Sequence, residues 1–151
     1  MMHPLAEHVL FVCTGNTCRS PMAQALYNLL ARQRGLDTFA TSAGIMACEG
    51  MPASLGAQCA MEDYGADLTL HQAQTVTAQM LARADVILCM QQSHQQALLA
   101  KYPQFCQKIH TLTQYAFGAY QPVEDPFGGD EDVYRRCARQ IFDAVSKILE
   151  N

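Results

Sequence analysis

Residues 13–20 read CTGNTCRS: a cysteine, five small or polar residues, an arginine and a serine. A cysteine thiolate is a strong nucleophile, and an arginine guanidinium is a planar fork that matches two phosphoryl oxygens where lysine offers only a point charge. Gly15 and Asn16 are residue types that tolerate positive φ, so the chain between Cys13 and Arg19 can curl its N–H groups inward. Set at the start of a helix, such a loop is an anion site, because free N–H groups and the positive end of the helix dipole point at one spot. Positive surroundings favour the thiolate of Cys13, and Ser20 can give that sulfur a hydroxyl hydrogen bond that eases its role as leaving group. Thr14, Gly15, Asn16, Thr17, Cys18, Arg19 and Ser20 together form a candidate phosphate cradle. It is not a Walker loop, since no Gly-Lys-Ser/Thr closes it.

This chemistry needs elements that hold the loop still. Residues 8–13, HVLFVC, are a short apolar run rich in β-branched and aromatic residues, which predicts a buried strand ending on Cys13. From Cys18, the apolar positions Met22, Ala25, Leu26, Leu29 and Leu30 recur at helical spacing until Gly35 stops them. Further on, the pattern predicts a strand over 37–44, helices over 52–64 and 77–84, a strand over 85–90, a helix over 93–101 and a strand over 108–112. Residues 120–134, YQPVEDPFGGDEDVY, are turn-rich. The last helix starts near Asp130, with Asp130 or Asp132 as cap and Val133, Cys137, Ile141, Val145 and Ile148 along one face. The alternation predicts one α/β domain over 1–151, a three-layer flavodoxin-like sandwich with a four-stranded parallel sheet and helices on both faces. In such sheets the ligand crevice lies beyond the carboxyl ends of the strands, where residues 13–19 fall.

The 151 residues are half hydrophobic and 16% charged, enough to bury a core. A net charge of −4 argues against a nucleic-acid partner, and neither a basic run nor a long apolar stretch suggests a membrane. Residues 1–8, MMHPLAEH, hold no signal-peptide core. Seven cysteines, an odd number in a chain that is not a small secreted one, point to reduced thiols and a cytoplasmic protein. Cys59, Cys89 and Cys137 fall in apolar patterns, where free cysteine acts as a small hydrophobe. Two plainer readings of Cys13 compete. As a mere core residue it leaves the glycine-bearing loop, the arginine and the serine unexplained. As half of a metal pair with Cys18 it lacks partners of suitable spacing, since His3, His8, His94 and His110 are scattered.

Cys-x5-Arg-Ser after the first strand, TSAG at 41–44, ADVILCM at 84–90 and the late Asp125-Pro126 pair together resemble the low-molecular-weight protein tyrosine phosphatase family over essentially the whole chain. The resemblance implies hydrolysis of phosphorylated protein substrates through a phosphocysteine intermediate. It assigns Cys13 as nucleophile, Arg19 as phosphoryl clamp and Asp125 as general acid, with Asn16, Ser20, Ser42 and His71 in the network that shapes the loop. By residue type alone, Asp125 reads as turn chemistry before a proline, and His71 as a structural histidine. A monomer needing no metal and no cofactor is expected.

Family members acting on phosphotyrosine usually carry an aliphatic residue two places before the arginine, where Thr17 stands here. They usually have a tryptophan after the SAG segment, near Cys48, and tyrosines after the Asp-Pro, where Phe127 is followed by glycines. CTGNTCRSPMA with DPFGG resembles the protein arginine phosphatase branch instead. Thr17 and Phe127 are therefore the expected pocket residues: a shorter, polar Thr17 can help place water or a guanidinium, and Asp125 can pair with that cation. Alternatively, Thr17 only fills space and tyrosine remains the substrate. Cys18 either packs at the first helical turn or, as the resemblance implies, forms a reversible disulfide that shelters Cys13 from over-oxidation. Thioredoxin-coupled arsenate reductases share this loop and fold and use two further cysteines. Cys89 suits the first, but the second position, seven residues on, is Gln96. A silent phosphopeptide-binding module would typically lack the nucleophile or the acid, and both are present here.

Overall fold

The computed structural model describes residues 3–150. Four strands, β1 (His8–Cys13), β2 (Phe39–Gly44), β3 (Val86–Cys89) and β4 (Ile109–Thr111), form one parallel sheet in the order β2-β1-β3-β4. Six α-helices and a 3-10 helix at Pro103–Lys108 connect and cover them: α1 (Arg19–Gln33), α2 (Leu55–Glu62), α3 (Ala78–Arg83), α4 (Gln92–Lys101), α5 (Leu112–Phe117) and α6 (Glu131–Ile148). Alternation along the strands feeds two cores. Val9, Phe11 and Leu88 pack under α1, α2, α5 and α6, whereas Leu10, Val12 and Ile87 pack with Leu81 of α3 and Leu98 of α4. This is the expected three-layer sandwich. Register pairs Cys13 with Gly44 and Val12 with Cys89, so three strand ends meet at the nucleophile position.

Several boundaries move for local reasons. Ser54 accepts the Ala57 N–H and Thr77 accepts the Met80 N–H, so α2 and α3 start at these caps and are shorter than the spans 52–64 and 77–84. Asp130, not Asp132, caps α6, taking the Val133 N–H at 3.1 Å. The inner face of α6 is centred on Tyr134, Cys137, Ala138, Ile141, Ala144 and Val145, with Val133 and Ile148 only half-buried. The α5 helix replaces the end of the strand expected over 108–112: β4 stops at Thr111 and Leu112 opens the helix. It spans six residues before Gly118 closes it at φ 79°, too few for a 3.6-residue period to stand out. Cys59 corrects another expectation: it is exposed on α2, because Ala57, Ala60 and Met61 form the inward face, whereas Cys89 and Cys137 are buried as expected. None of the described helices is long and apolar enough to cross a membrane.

Candidate active site

Cys13 ends β1, and five residues carry the chain to Arg19, the first residue of α1. The turn depends on Asn16 at φ 57°, the only positive-φ residue other than glycine among those described. A left-handed residue with a Cβ costs about 1–2 kcal/mol. Asn16 offsets this by using nearly every polar atom it has. Its amide nitrogen donates to Ser20 Oγ at 2.8 Å and Ser42 Oγ at 3.0 Å, and its Oδ1 accepts the Gln74 N–H at 3.0 Å. Its backbone carbonyl accepts from His71 Nε2 at 2.7 Å. Burial holds the His71 imidazole below its ordinary value, partly offset by that bond, so the ring favours its neutral, singly protonated form. The Ser42 hydroxyl in turn donates to Gln24 Oε1 at 2.6 Å. Ser20, whose oxygen is taken by Asn16, has one proton and two acceptors in range, Cys13 Sγ at 2.9 Å and, at the longer distance of 3.4 Å, the Ala43 carbonyl. The network assigned to Asn16, Ser20, Ser42 and His71 is thus one connected set of hydrogen bonds.

Gly44 closes the other side. A Cβ there would lie 2.6 Å from the Thr14 carbonyl oxygen and 3.0 Å from the Asn16 nitrogen, so only glycine lets β2 abut the loop.

Arg19 is 2% exposed, yet its head finds mainly neutral acceptors: Gln91 Oε1, the Val123 carbonyl at 2.8 Å and, more weakly, Thr14 Oγ1 at 3.4 Å. The one carboxylate within reach is Asp125, 3.8 Å from Nη2 and half exposed. A buried cation held this way keeps most of its charge for an incoming anion. Asp125 serves two ends: Oδ1 accepts the Phe127 N–H at 3.1 Å, the turn chemistry its sequence context suggests, while Oδ2 faces Arg19. Cys13, Thr14, Thr17, Arg19, Asp125 and Phe127 line a cleft of about 250 Å³, together with Gly15 and Cys18. Thr17 is half-buried there, and Phe127 stands 78% exposed at the rim.

Cys18 packs into the first turn of α1, its thiol donating to Ser54 Oγ at 3.3 Å and lying 3.4 Å from Tyr134 Oη. Burial pushes the Tyr134 phenol up, so it stays protonated. Cys13 and Cys18 both carry free thiols. Cys89 is fully buried, which raises its thiol far above neutrality, and Gln96 is exposed on α4, so the cysteine relay of an arsenate reductase is not assembled. No group of three or more His, Cys, Asp or Glu side chains converges as a metal site among the described residues.

Several site residues escaped the sequence reading. Gln91 holds Arg19, Gln74 and Gln24 complete the Asn16 network, and His94 lies 2.9 Å from Thr14 Oγ1 through Nε2. Burial, then the Arg19 charge, push His94 down to about 4. A signal for two of them existed. Gln91 and His94 follow β3 directly, and the crevice rule that located residues 13–19 applies equally to the strand beside β1.

The family model described as low molecular weight phosphotyrosine protein phosphatase matches residues 8–151. The protein-arginine-phosphatase of Bacillus subtilis is 34% identical over 142 residues, covering 94% of each chain. The low molecular weight protein-tyrosine-phosphatase PtpB of Staphylococcus epidermidis is 37% identical, over 93% of this chain and 95% of its own. The crystal structure of a low molecular weight protein tyrosine phosphatase from T. tengcongensis superposes with a TM-score of 0.92 at 40% identity, covering 95% of this chain and 97% of the other. Strand order, loop and full-length similarity agree, and the chain belongs to the low molecular weight phosphotyrosine protein phosphatase family.

Proposed function

We propose that this protein phosphatase hydrolyses phosphoarginine in protein substrates in preference to phosphotyrosine, with Cys13 as nucleophile, Arg19 as clamp and Asp125 as general acid. The observation that carries the reaction is the convergence of a thiol hydrogen-bonded to Ser20, a buried guanidinium and a half-exposed carboxylate in one cleft. The Cys13 thiolate attacks phosphorus, forming a P–S bond as the P–N bond breaks, and Asp125 protonates the departing nitrogen. Water then attacks the phosphocysteine, Asp125 takes its proton, and the sulfur leaves with the Ser20 hydroxyl bonded to it. Arg19 and the loop N–H groups stabilise charge on the equatorial oxygens throughout.

Support for phosphoarginine comes from the rim. Thr17 sets a hydroxyl where an aliphatic wall would favour a phenol, and Phe127 is followed by Gly128 and Gly129 rather than by further aromatics. The half-exposed Asp125 carboxyl beside Arg19 also suits hydrogen bonding to the nitrogens of a guanidino leaving group. Free thiols at seven cysteines support work in the reducing cytoplasm. The test is kcat/KM for phosphoarginine and phosphotyrosine peptides of otherwise equal sequence. A preference for phosphoarginine supports the proposal, and a preference for phosphotyrosine makes this an ordinary tyrosine phosphatase of the family.

A further inference from the structure

Among the described residues, His94 alone has a buried side-chain polar atom without a partner, Nδ1. The ring is 4% exposed in the first turn of α4, and its Nε2 lies 2.9 Å from Thr14 Oγ1. Arg19 Nη2 donates to the same oxygen at 3.4 Å. Burial and the Arg19 charge keep the ring neutral, so one nitrogen carries a proton and the other does not. If the proton sat on Nδ1, a buried N–H donor would have no acceptor, the rarer and costlier defect. With the proton on Nε2, the unpartnered atom is a bare lone pair, and Thr14 Oγ1 accepts from both His94 and Arg19. Its two lone pairs are then filled, and its own proton has no acceptor in the protein. Thr14 is exposed and lines the cleft beside Cys13 and Asp125.

We propose that the Thr14 hydroxyl donates a hydrogen bond to the bound phosphoryl group, and that His94 is the positioning residue that, with Arg19, aims this proton into the cleft. This deepens the function above and rests on its placing of the phosphoryl group in the 13–19 loop. The Nη2 atom that bonds Thr14 is also the one 3.8 Å from Asp125, so the hydroxyl and the carboxylate neighbour the same guanidinium nitrogen. The loop therefore supplies a side-chain donor in addition to its N–H groups and its guanidinium.

The test uses full-length protein carrying Cys13→Ser, with inorganic phosphate titrated by calorimetry. Thr14→Val should weaken phosphate roughly 10- to 100-fold, the scale of one hydrogen bond to a charged group, and Thr14→Ser should restore it. His94→Leu should weaken phosphate when Thr14 is present and add nothing when Thr14→Val is already in place. The ¹⁵N spectrum of the His94 ring should report the Nε2–H tautomer, which a purely packing role would not require. Unchanged phosphate affinity in Thr14→Val, a His94→Leu loss that persists beside Thr14→Val, or an Nδ1–H tautomer would each overturn the proposal. Should His94→Leu not fold, the Thr14 pair and the ring spectrum decide. If Cys13→Ser protein binds no phosphate at all, the loop is not the phosphoryl site, and the proposed function falls with this inference. Binding that Thr14→Val leaves intact removes this inference alone.

Discussion

Asp125 is a single side chain with two separable duties, since one oxygen holds a turn and the other faces Arg19. Asparagine keeps an oxygen for the Phe127 N–H but has no acidic proton. Asp125→Asn should therefore fold normally and lose about 10²–10⁴-fold in kcat on substrates with poor leaving groups. Activated aryl phosphates, which need less protonation, should lose far less. Comparing the two substrate kinds checks this, and equal losses would move the acid elsewhere, Asp130 and Asp132 being nearest in sequence. Thr17 is the residue on which substrate choice is expected to turn. Thr17→Ile deletes a hydroxyl and adds a methyl-sized bulk at the cleft wall, which gives a phenol ring an apolar surface. The ratio of kcat/KM for phosphoarginine over phosphotyrosine should fall by roughly 10–200-fold, the scale that a change of about one methylene supports.

The phosphate loop is held from both sides by whole elements. On one side, β2 and the chain after it donate the Ile45 N–H to the Cys13 carbonyl and the Met46 N–H to the Thr14 carbonyl, both at 2.9 Å. On the other, the Ser54 N–H holds the Thr17 carbonyl at 2.9 Å, and Tyr134 of α6 packs so closely on Gly56 that a Cβ there would meet its ring at 2.4 Å. Gly44→Ala should push β2 off the loop, costing about 1–3 kcal/mol of stability and weakening phosphate binding with it. Urea denaturation and phosphate titration together measure this. Gly35→Ala is the control: nothing lies within 4 Å, its φ of 65° carries backbone strain alone, and phosphate affinity should not change.

For the molecule as a whole, burying His94 couples the site to acid stability. Its folded value of about 4 lies below the ordinary 6.5, so between the two the unfolded chain binds more protons. The stability that neutral His94 contributes is complete above about pH 6.5 and is lost as pH falls toward 4. His94→Gln should thus show a smaller drop in urea midpoint between pH 7 and pH 4.5 than the parent does. A drop of equal size would mean that other groups carry the acid sensitivity. The coupling joins residues 80 apart in the chain, and this separation marks the boundary of what the sequence alone determines. Cys13, Arg19 and Ser20 are legible because covalent spacing alone places them on one strand–loop–helix turn, and the sandwich is legible because strand and helix periods differ. Gln91, His94, Gln74 and Tyr134 reach the loop only through parallel crossovers and sheet register, which no local pattern encodes. Likewise, α5 forms where six residues pack on the sheet and on α6, and Cys59 faces water because of how α2 rolls on its alanines. The sequence by itself determined the reactive loop and the order of elements, since both depend on neighbours along the chain. Tertiary structure decided which distant side chains orient that loop, because only packing brings them within hydrogen-bond range.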